Sequence, residues 1–220
     1  MDKTLKTIET YDKHADSYQS KFMDFESYKS KLKGFCDILL PGAKILDVGC
    51  GPGNAAKLLI ESNKDLEILG IDLSGEMINR ARANVVSPKV NFLVGDIRDL
   101  NLNDEVYDAV ILSFCLPHLL NEEAEKLVND TSAVLSRDGF LYLSCMEGVK
   151  SGFETTSFSP DDYIFFNYYS EDFIRKTLGK NNLRILQLQR DLYPESDGSC
   201  TTDMFIYAQK LSRLSEMEQF

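Results

Sequence analysis

Apolar positions change their period along this chain, and each change marks a different kind of element. Between residues 25 and 39 they recur as Phe25, Tyr28, Leu32, Phe35, Cys36 and Leu39. Those spacings lay one stripe along a helix, and Pro41-Gly42 closes it. From residue 45 onward short, nearly continuous apolar runs take over, at 45–48, 68–71, 90–94, 109–112 and 140–143. Helical periods lie among them: residues 54–61, a stripe through Met77, Ile78 and Ala81, and a stripe through Ala124, Leu127, Val128, Thr131, Val134 and Leu135. Glu122 and Glu123 precede the last stripe, where the positive end of a helix dipole favours them. Short, nearly continuous apolar strands interleaved with helices predict an α/β fold with a parallel sheet covered on both faces.

Past residue 145 the rhythm becomes aromatic, then helical over 170–178, then extended near 184–188 and 204–208. Residues 190–202 contain Pro194 and Gly198 but no helical period, so the last two strands are expected as an antiparallel pair. No repeat, low-complexity tract or Pro/Gly-rich linker interrupts the pattern, which predicts a single domain over 1–220.

Composition narrows the function classes. The 220 residues are 43% apolar and 27% charged, which excludes a collagen, a disordered tail or a membrane channel. Asp and Glu number 35 against 24 Lys and Arg, and a net charge of −11 repels a phosphate backbone, so no nucleic-acid partner is expected. Five cysteines with no C-x-x-C pair suggest neither a disulfide framework nor a structural zinc site, and reduced thiols fit a cytoplasmic location. The first 18 residues mix both charges, and no apolar run approaches membrane-spanning length, so neither targeting nor a membrane partner is expected.

Ligands of open α/β sheets bind beyond the carboxyl ends of the strands. The first strand runs into Asp47-Val48-Gly49-Cys50-Gly51-Pro52-Gly53-Asn54, the second ends in Asp72, the third in Gly95-Asp96-Ile97 and the fourth in Ser113-Phe114. Alternate glycines allow positive φ and bring a ligand against backbone at a helix start. Asp72 lies 19 residues beyond Gly53, near the spacing of a ribose-binding acid in dinucleotide folds. Yet Asn54 stands where G-x-G-x-x-G requires glycine, Pro52 removes an N–H from the loop, and Asp47 suits a cation better than a phosphate.

Residues 45–53, Ile-Leu-Asp-Val-Gly-Cys-Gly-Pro-Gly, resemble the first motif of the class I S-adenosylmethionine-dependent methyltransferases. Asp72, Gly95-Asp96-Ile97 and residues 107–110 match its later motifs, so the resemblance covers about residues 8 to 146. Tyr11-Asp12 with Ala15 and Tyr18 resembles its small-molecule branch, similar to the ubiquinone/menaquinone-biosynthesis type. The resemblance implies a Rossmann-like seven-stranded sheet ordered 3-2-1-4-5-7-6 with strand 7 antiparallel. It implies cover helices over 1–40, a cofactor-binding core over 44–146, a substrate-side aromatic segment and helix over 147–182, and a strand pair over 183–210. The cofactor implied is S-adenosyl-L-methionine and the partner a small-molecule methyl acceptor.

Residue by residue, the resemblance assigns the cofactor's ammonium to Asp47 and its methionyl part to N–H groups near Gly49 and Gly51. Cys50, Gly53 and Asn54 complete the loop, and Ser113 and Phe114 close the site after strand four. Asp72 is assigned the ribose hydroxyls, Asp96 the adenine amino group, and Leu73 and Ile97 the two faces of the ring.

Any single Asp of this set equally reads as a helix cap or turn residue; together they do not. Asp99 and Asp104 stay surface or turn residues. His118 reads as a general base or as a histidine contacting backbone at a helix start, with Tyr11 and Tyr18 as further candidate catalytic groups and His14 a weaker one. Eight aromatics within residues 153–173 form either a small core of their own or an acceptor wall. Residues 178–183, Leu-Gly-Lys-Asn-Asn-Leu, depart from the family's turn before strand six, so acceptor contacts do not transfer. The reading is a methyltransferase using direct in-line displacement to O, N or C of a small molecule; the alternatives are a non-catalytic cofactor-binding protein and an NAD-dependent oxidoreductase.

Overall fold

The computed structural model describes residues 2–99, 102, 105–195 and 198–211. Asp104 lies outside them. Seven strands form the main sheet: β1 (Lys44–Val48), β2 (Glu67–Asp72), β3 (Val90–Val94), β4 (Tyr107–Ser113), β5 (Leu135–Met146), β8 (Leu183–Pro194) and β9 (Cys200–Lys210). Their order is β3-β2-β1-β4-β5-β9-β8. Strands β1 to β5 pair in parallel, and β9 runs antiparallel to both β5 and β8. This is the expected 3-2-1-4-5-7-6 order, displaced in numbering by an additional hairpin.

That hairpin, β6 (Ser151–Thr156) with β7 (Ser159–Asn167), occupies the aromatic stretch and forms a separate two-stranded sheet. Its alternation was hidden in the sequence by aromatics on both faces of β7. The strands β8 and β9 also reach further than their apolar centres, pairing out to Pro194 and Cys200 as a long arm.

Helices α4 (Asn54–Glu61), α5 (Gly75–Asn84), α6 (Asn121–Val134) and α7 (Glu171–Lys180) connect the strands, and α1 (Lys3–Lys13), α2 (Ala15–Phe22) and α3 (Glu26–Ile38) precede them. Among the described residues no helix is long and apolar enough to cross a membrane. Strand residues divide by parity between two cores. Leu46, Val110 and Leu143 face Leu127 of α6 and Ile174 of α7, whereas Ile45, Ile111 and Tyr142 face Phe35 of α3 and Leu59 of α4. A period of two feeding two cores is why the central strands read as unbroken apolar runs. The Phe35 ring sits 5.5 Å from both Tyr142 and Tyr207, so α3 covers the sheet as its stripe predicted.

The loop after β1 takes backbone conformations that favour glycine. Gly49 takes φ +70°, and a Cβ there would meet the Cys115 Cβ at 2.5 Å. Gly42 takes a similar φ of +77° with nothing within 4 Å. Left-handed backbone alone costs a side chain about 1–2 kcal/mol, and overpacking adds about 1–3 kcal/mol. Gly49→Ala should therefore destabilise the chain by about 2–4 kcal/mol and Gly42→Ala by about 1 kcal/mol. Equal denaturant midpoints for the two variants in urea unfolding would refute the close-approach argument.

Candidate functional site

Strand order reverses between β1 and β4, and the cleft beyond their carboxyl ends is where an open sheet binds ligands. Asp72, at the end of β2, organises the cleft floor. Its Oδ2 accepts from Gly51 N and its Oδ1 from Ser74 N, each at 2.9 Å. One carboxylate thereby holds the glycine loop against the start of α5, where Ser74 Oγ caps the helix by accepting from Met77 N. Gly49 N and Cys50 N both donate to Ile71 O, drawing the loop across the end of β2.

Helices α1 and α2 close the cleft from above. Asp12 accepts from Ser74 Oγ, Arg80 Nη1 lies 2.6 Å from Asp16, and Arg98 Nη1 donates to Thr4 Oγ1 at 2.8 Å. On the other side Thr7 Oγ1 accepts from Phe165 N, tying α1 to the β6–β7 hairpin. Tyr11 and Tyr18 are delivered to the middle of the cleft, their rings 5.5 Å apart and edge to face.

Two adjoining chambers result, of about 90 and 160 Å³. The first contains Asp72, Leu73, Asp96, Ile97 and Arg98. The second contains Asp47, Cys50, Asn54 and the aromatic side chains of α2, α3 and β7. Tyr11, Tyr18, Gly49, Gly51, Phe114 and His118 line both, and so does Ser113. The sequence-derived candidates thus converge, apart from Gly53, which takes φ +87° at the start of α4 and packs against Ala81 and Val85. His14 also lies elsewhere: its Nε2 meets Asp162 Oδ2 at 2.8 Å, fastening the helices to β7.

Burial dominates the charge states. Asp47 is 1% exposed and its Oδ2 has no hydrogen-bond partner among the described residues. Desolvation, reinforced by the Asp72 carboxylate, pushes its pKa up to about 7. Burial also raises Asp72, against the pull of its backbone donors. Asp96 is held low instead, because Arg98 grips it with Nε at 3.0 Å and Nη2 at 2.6 Å. Cys50 and Cys115 are pushed up by burial, so both remain thiols and neither is a nucleophile at neutral pH.

His118 ends a 3-10 turn, Leu116–His118, after β4. Its Nδ1 lies 3.1 Å from Phe165 O, a pure acceptor, so Nδ1 carries the proton and donates. Nε2 is then the acceptor for the Tyr11 hydroxyl at 3.0 Å. Desolvation lowers the ring's pKa to about 4, keeping it neutral. His118 therefore contacts backbone through one nitrogen and presents the other, through Tyr11, to the cleft. Burial and neighbouring acids raise the hydroxyl pKa of Tyr11 and Tyr18, so both stay protonated.

Phe114 adopts φ +52°, with its N–H donated to Ser144 O and Ser144 Oγ, each at 3.1 Å. Positive φ at an aromatic is strain held by its surroundings, and it turns the ring onto Tyr28, 4.7 Å away and stacked. The aromatic stretch divides between the cleft and the main core rather than forming a small core of its own. Phe158 stacks on Tyr11 at 5.5 Å as cleft wall, while the Tyr169 hydroxyl donates to Leu116 O and Leu119 O inside the core. Sequence reasoning missed Arg98, Tyr28 and Asp203. Only Arg98 had a local signal, its position two residues after Asp96.

A family model described as a methyltransferase domain matches residues 45–139. A methyltransferase of Anoxybacillus flavithermus is 28% identical over 138 residues, 60% of this chain and 63% of its own length. Trans-aconitate 2-methyltransferase of Rhodopseudomonas palustris is 31% identical over 87 residues, 38% of this chain and 33% of its own. The chain thus spans less than two thirds of the length of these curated relatives. Among solved structures, magnesium protoporphyrin IX methyltransferase of Synechocystis PCC 6803 with bound S-adenosylhomocysteine superposes with a TM-score of 0.70 at 20% identity, covering 96% of this chain and all of that one. A methyltransferase of Methanosarcina mazei gives 0.69 at 20% identity, over 80% and 96% of the two chains. Motif, strand order and comparisons agree: residues 45–139 match a methyltransferase domain, and the chain has the Rossmann-like fold of these solved methyltransferases.

Proposed function

We propose that the chain transfers the methyl group of S-adenosylmethionine to a small molecule held in the second chamber. Asp47 carries this reading: a buried carboxylate with an unpartnered oxygen, in a chamber also lined by Gly49 and Gly51, suits the ammonium of a cofactor that bears no phosphate. A phosphate at that position would meet two acids, which disfavours a nicotinamide dinucleotide. Asp72 has acceptor capacity left beyond its two backbone donors for ribose hydroxyls. Leu73 and Ile97 would flank the adenine, and Asp96 would meet its amino group from the side not taken by Arg98. When bound, the cofactor supplies an activated methyl on a sulfonium, open to in-line displacement by a nucleophile.

The remaining work falls to the chain. Continuity of the two chambers at Tyr11, Tyr18, Phe114 and His118 favours catalysis over binding alone, since it gives an acceptor direct access to the cofactor. Alignment of two bound reactants is worth about 7–11 kcal/mol of barrier. Aromatic walls exclude water from a displacement that disperses charge. Where the acceptor must lose a proton, neutral His118 Nε2 takes it by way of the Tyr11 hydroxyl.

S-adenosylhomocysteine should raise the thermal midpoint of the chain, and Asp72→Ala should weaken its binding about 100-fold, as two charge-assisted ribose contacts disappear. Unchanged affinity in that variant would remove Asp72 from the ribose. Incubation with labelled S-adenosylmethionine and pooled small metabolites should place label in an organic product; protein that binds the cofactor yet labels nothing in any pool would fit a binding protein instead.

Binding should also depend on pH. Asp47 titrates near 7 in the free chain, and an ammonium stabilises its ionised form, so affinity should fall as pH drops below about 7, by up to tenfold per unit. Asp47→Asn should bind weakly with that dependence flattened. Because the folded pKa lies above the unfolded one, Asp47 removes stability from the free protein as pH rises from about 4 to about 7. The Asn variant should therefore be more stable than the parent at pH 8 and equal to it at pH 3.5, read by urea unfolding. A parent that is the more stable at pH 8 contradicts the burial argument.

A further inference from the structure

The second chamber has an electrostatic asymmetry that the cofactor does not use. Four carboxylates line it, Asp47, Glu154, Glu195 and Asp203, against one cation, Lys29, whose Nζ already sits 3.1 Å from Asp24. Glu154 is engaged by the Tyr168 hydroxyl and Lys150, and Glu195 by Thr201 Oγ1 at 2.6 Å. Asp47 and Asp203 are the buried pair, 1% and 2% exposed. On the function proposed above, on which this inference rests, the unpartnered Oδ2 of Asp47 receives the cofactor's ammonium.

Asp203 remains. It stands on β9 and accepts from the Tyr28 hydroxyl at 2.8 Å, and no cation lies within ion-pair distance of it among the described residues. Burial raises its pKa to about 7, the same sign of missing positive charge seen at Asp47. Tyr28 connects it to the chamber junction, because its ring stacks on Phe114 at 4.7 Å and lies parallel to Phe22 at 6.2 Å. Phe22 in turn meets Phe158 at 6.0 Å and Tyr193 at 6.4 Å. Aromatic side chains in the same chamber as a buried carboxylate suit an organic cation. A carboxylate or phosphate acceptor would face the four lining acids, with Lys29 paired to Asp24 and Lys21 set over the Phe22 and Tyr193 rings.

We propose that the acceptor is a small organic amine, bound as its ammonium ion on Asp203, with an apolar body lying among Phe22, Tyr28 and Phe158 and reaching toward Tyr11 and His118. Anionic acceptors are thereby excluded by charge rather than by size.

The test uses the full chain saturated with S-adenosylhomocysteine and isothermal calorimetry on matched probes: phenethylamine, phenylacetate and 2-phenylethanol, repeated on the corresponding naphthyl skeleton. The amine should bind at least tenfold more tightly than its acid and alcohol partners on one or both skeletons. Asp203→Asn should abolish that preference with S-adenosylhomocysteine affinity unchanged, whereas Tyr28→Phe should retain it, since the carboxylate stays. Acid or alcohol binding as tightly as amine, no amine binding at millimolar concentration, or a preference that survives Asp203→Asn would overturn the proposal. If Asp203→Asn loses S-adenosylhomocysteine through misfolding, the ranking on the parent chain decides. Failure of the parent to bind S-adenosylhomocysteine would defeat the proposed function itself; binding it without preferring amines would defeat only the amine assignment.

Discussion

Asp47 is buried at the carboxyl end of β1 with no ion-pair partner among the described residues, and the cleft is organised around that constraint. An isolated carboxylate out of water is strongly unfavourable unless it protonates or gains a positive partner. Here the neighbouring Asp72 adds repulsion, so the free protein holds Asp47 near the edge of neutrality at physiological pH. On the function proposed, the cofactor's ammonium relieves it. The glycines after β1 keep side chains out of a crowded loop: a Cβ at Gly49 would meet that of Cys115.

Asp72 plays the complementary part. Its charge is spread over two backbone N–H groups, one from the loop after β1 and one from the start of α5. Two acids within one cleft thus differ: Asp72 accepts from two backbone N–H groups, whereas Asp47 keeps an oxygen without a partner among the described residues. Asp96 is a third case, neutralised by Arg98 at the rim, where solvent reaches both partners. Differences in environment, rather than in residue type, separate the three roles.

Much of this was legible in the sequence because the determinants are local. Strands buried on both faces read as apolar runs, so the sheet and its helices were visible, and the missing crossover helix between the last two strands gave away the antiparallel edge. The acids at strand ends were visible for the same reason, since a strand end is a fixed address in an open sheet. The hairpin of β6 and β7 was not legible, because Phe165 and Phe166 point to opposite sides yet both find apolar surroundings, against α1 and against the cleft. Asp203 was invisible too: an acid inside a long strand reads as a solvent-facing position until α3 is laid over it with Tyr28.

By itself, then, the sequence determined the α/β alternation, the glycine loop and the acids that follow each strand, all of which depend on spacing within one segment. Only tertiary structure decided what those residues meet. The pairing of Tyr11 with His118 spans 107 positions and that of Tyr28 with Asp203 spans 175. Helices α1 to α3 and the two hairpins approach the sheet from distant parts of the chain, and the desolvation that shifts Asp47, His118 and Asp203 exists only once they have closed over it. Charge states of buried groups are properties of the surrounding volume, and no local pattern of residues encodes that volume.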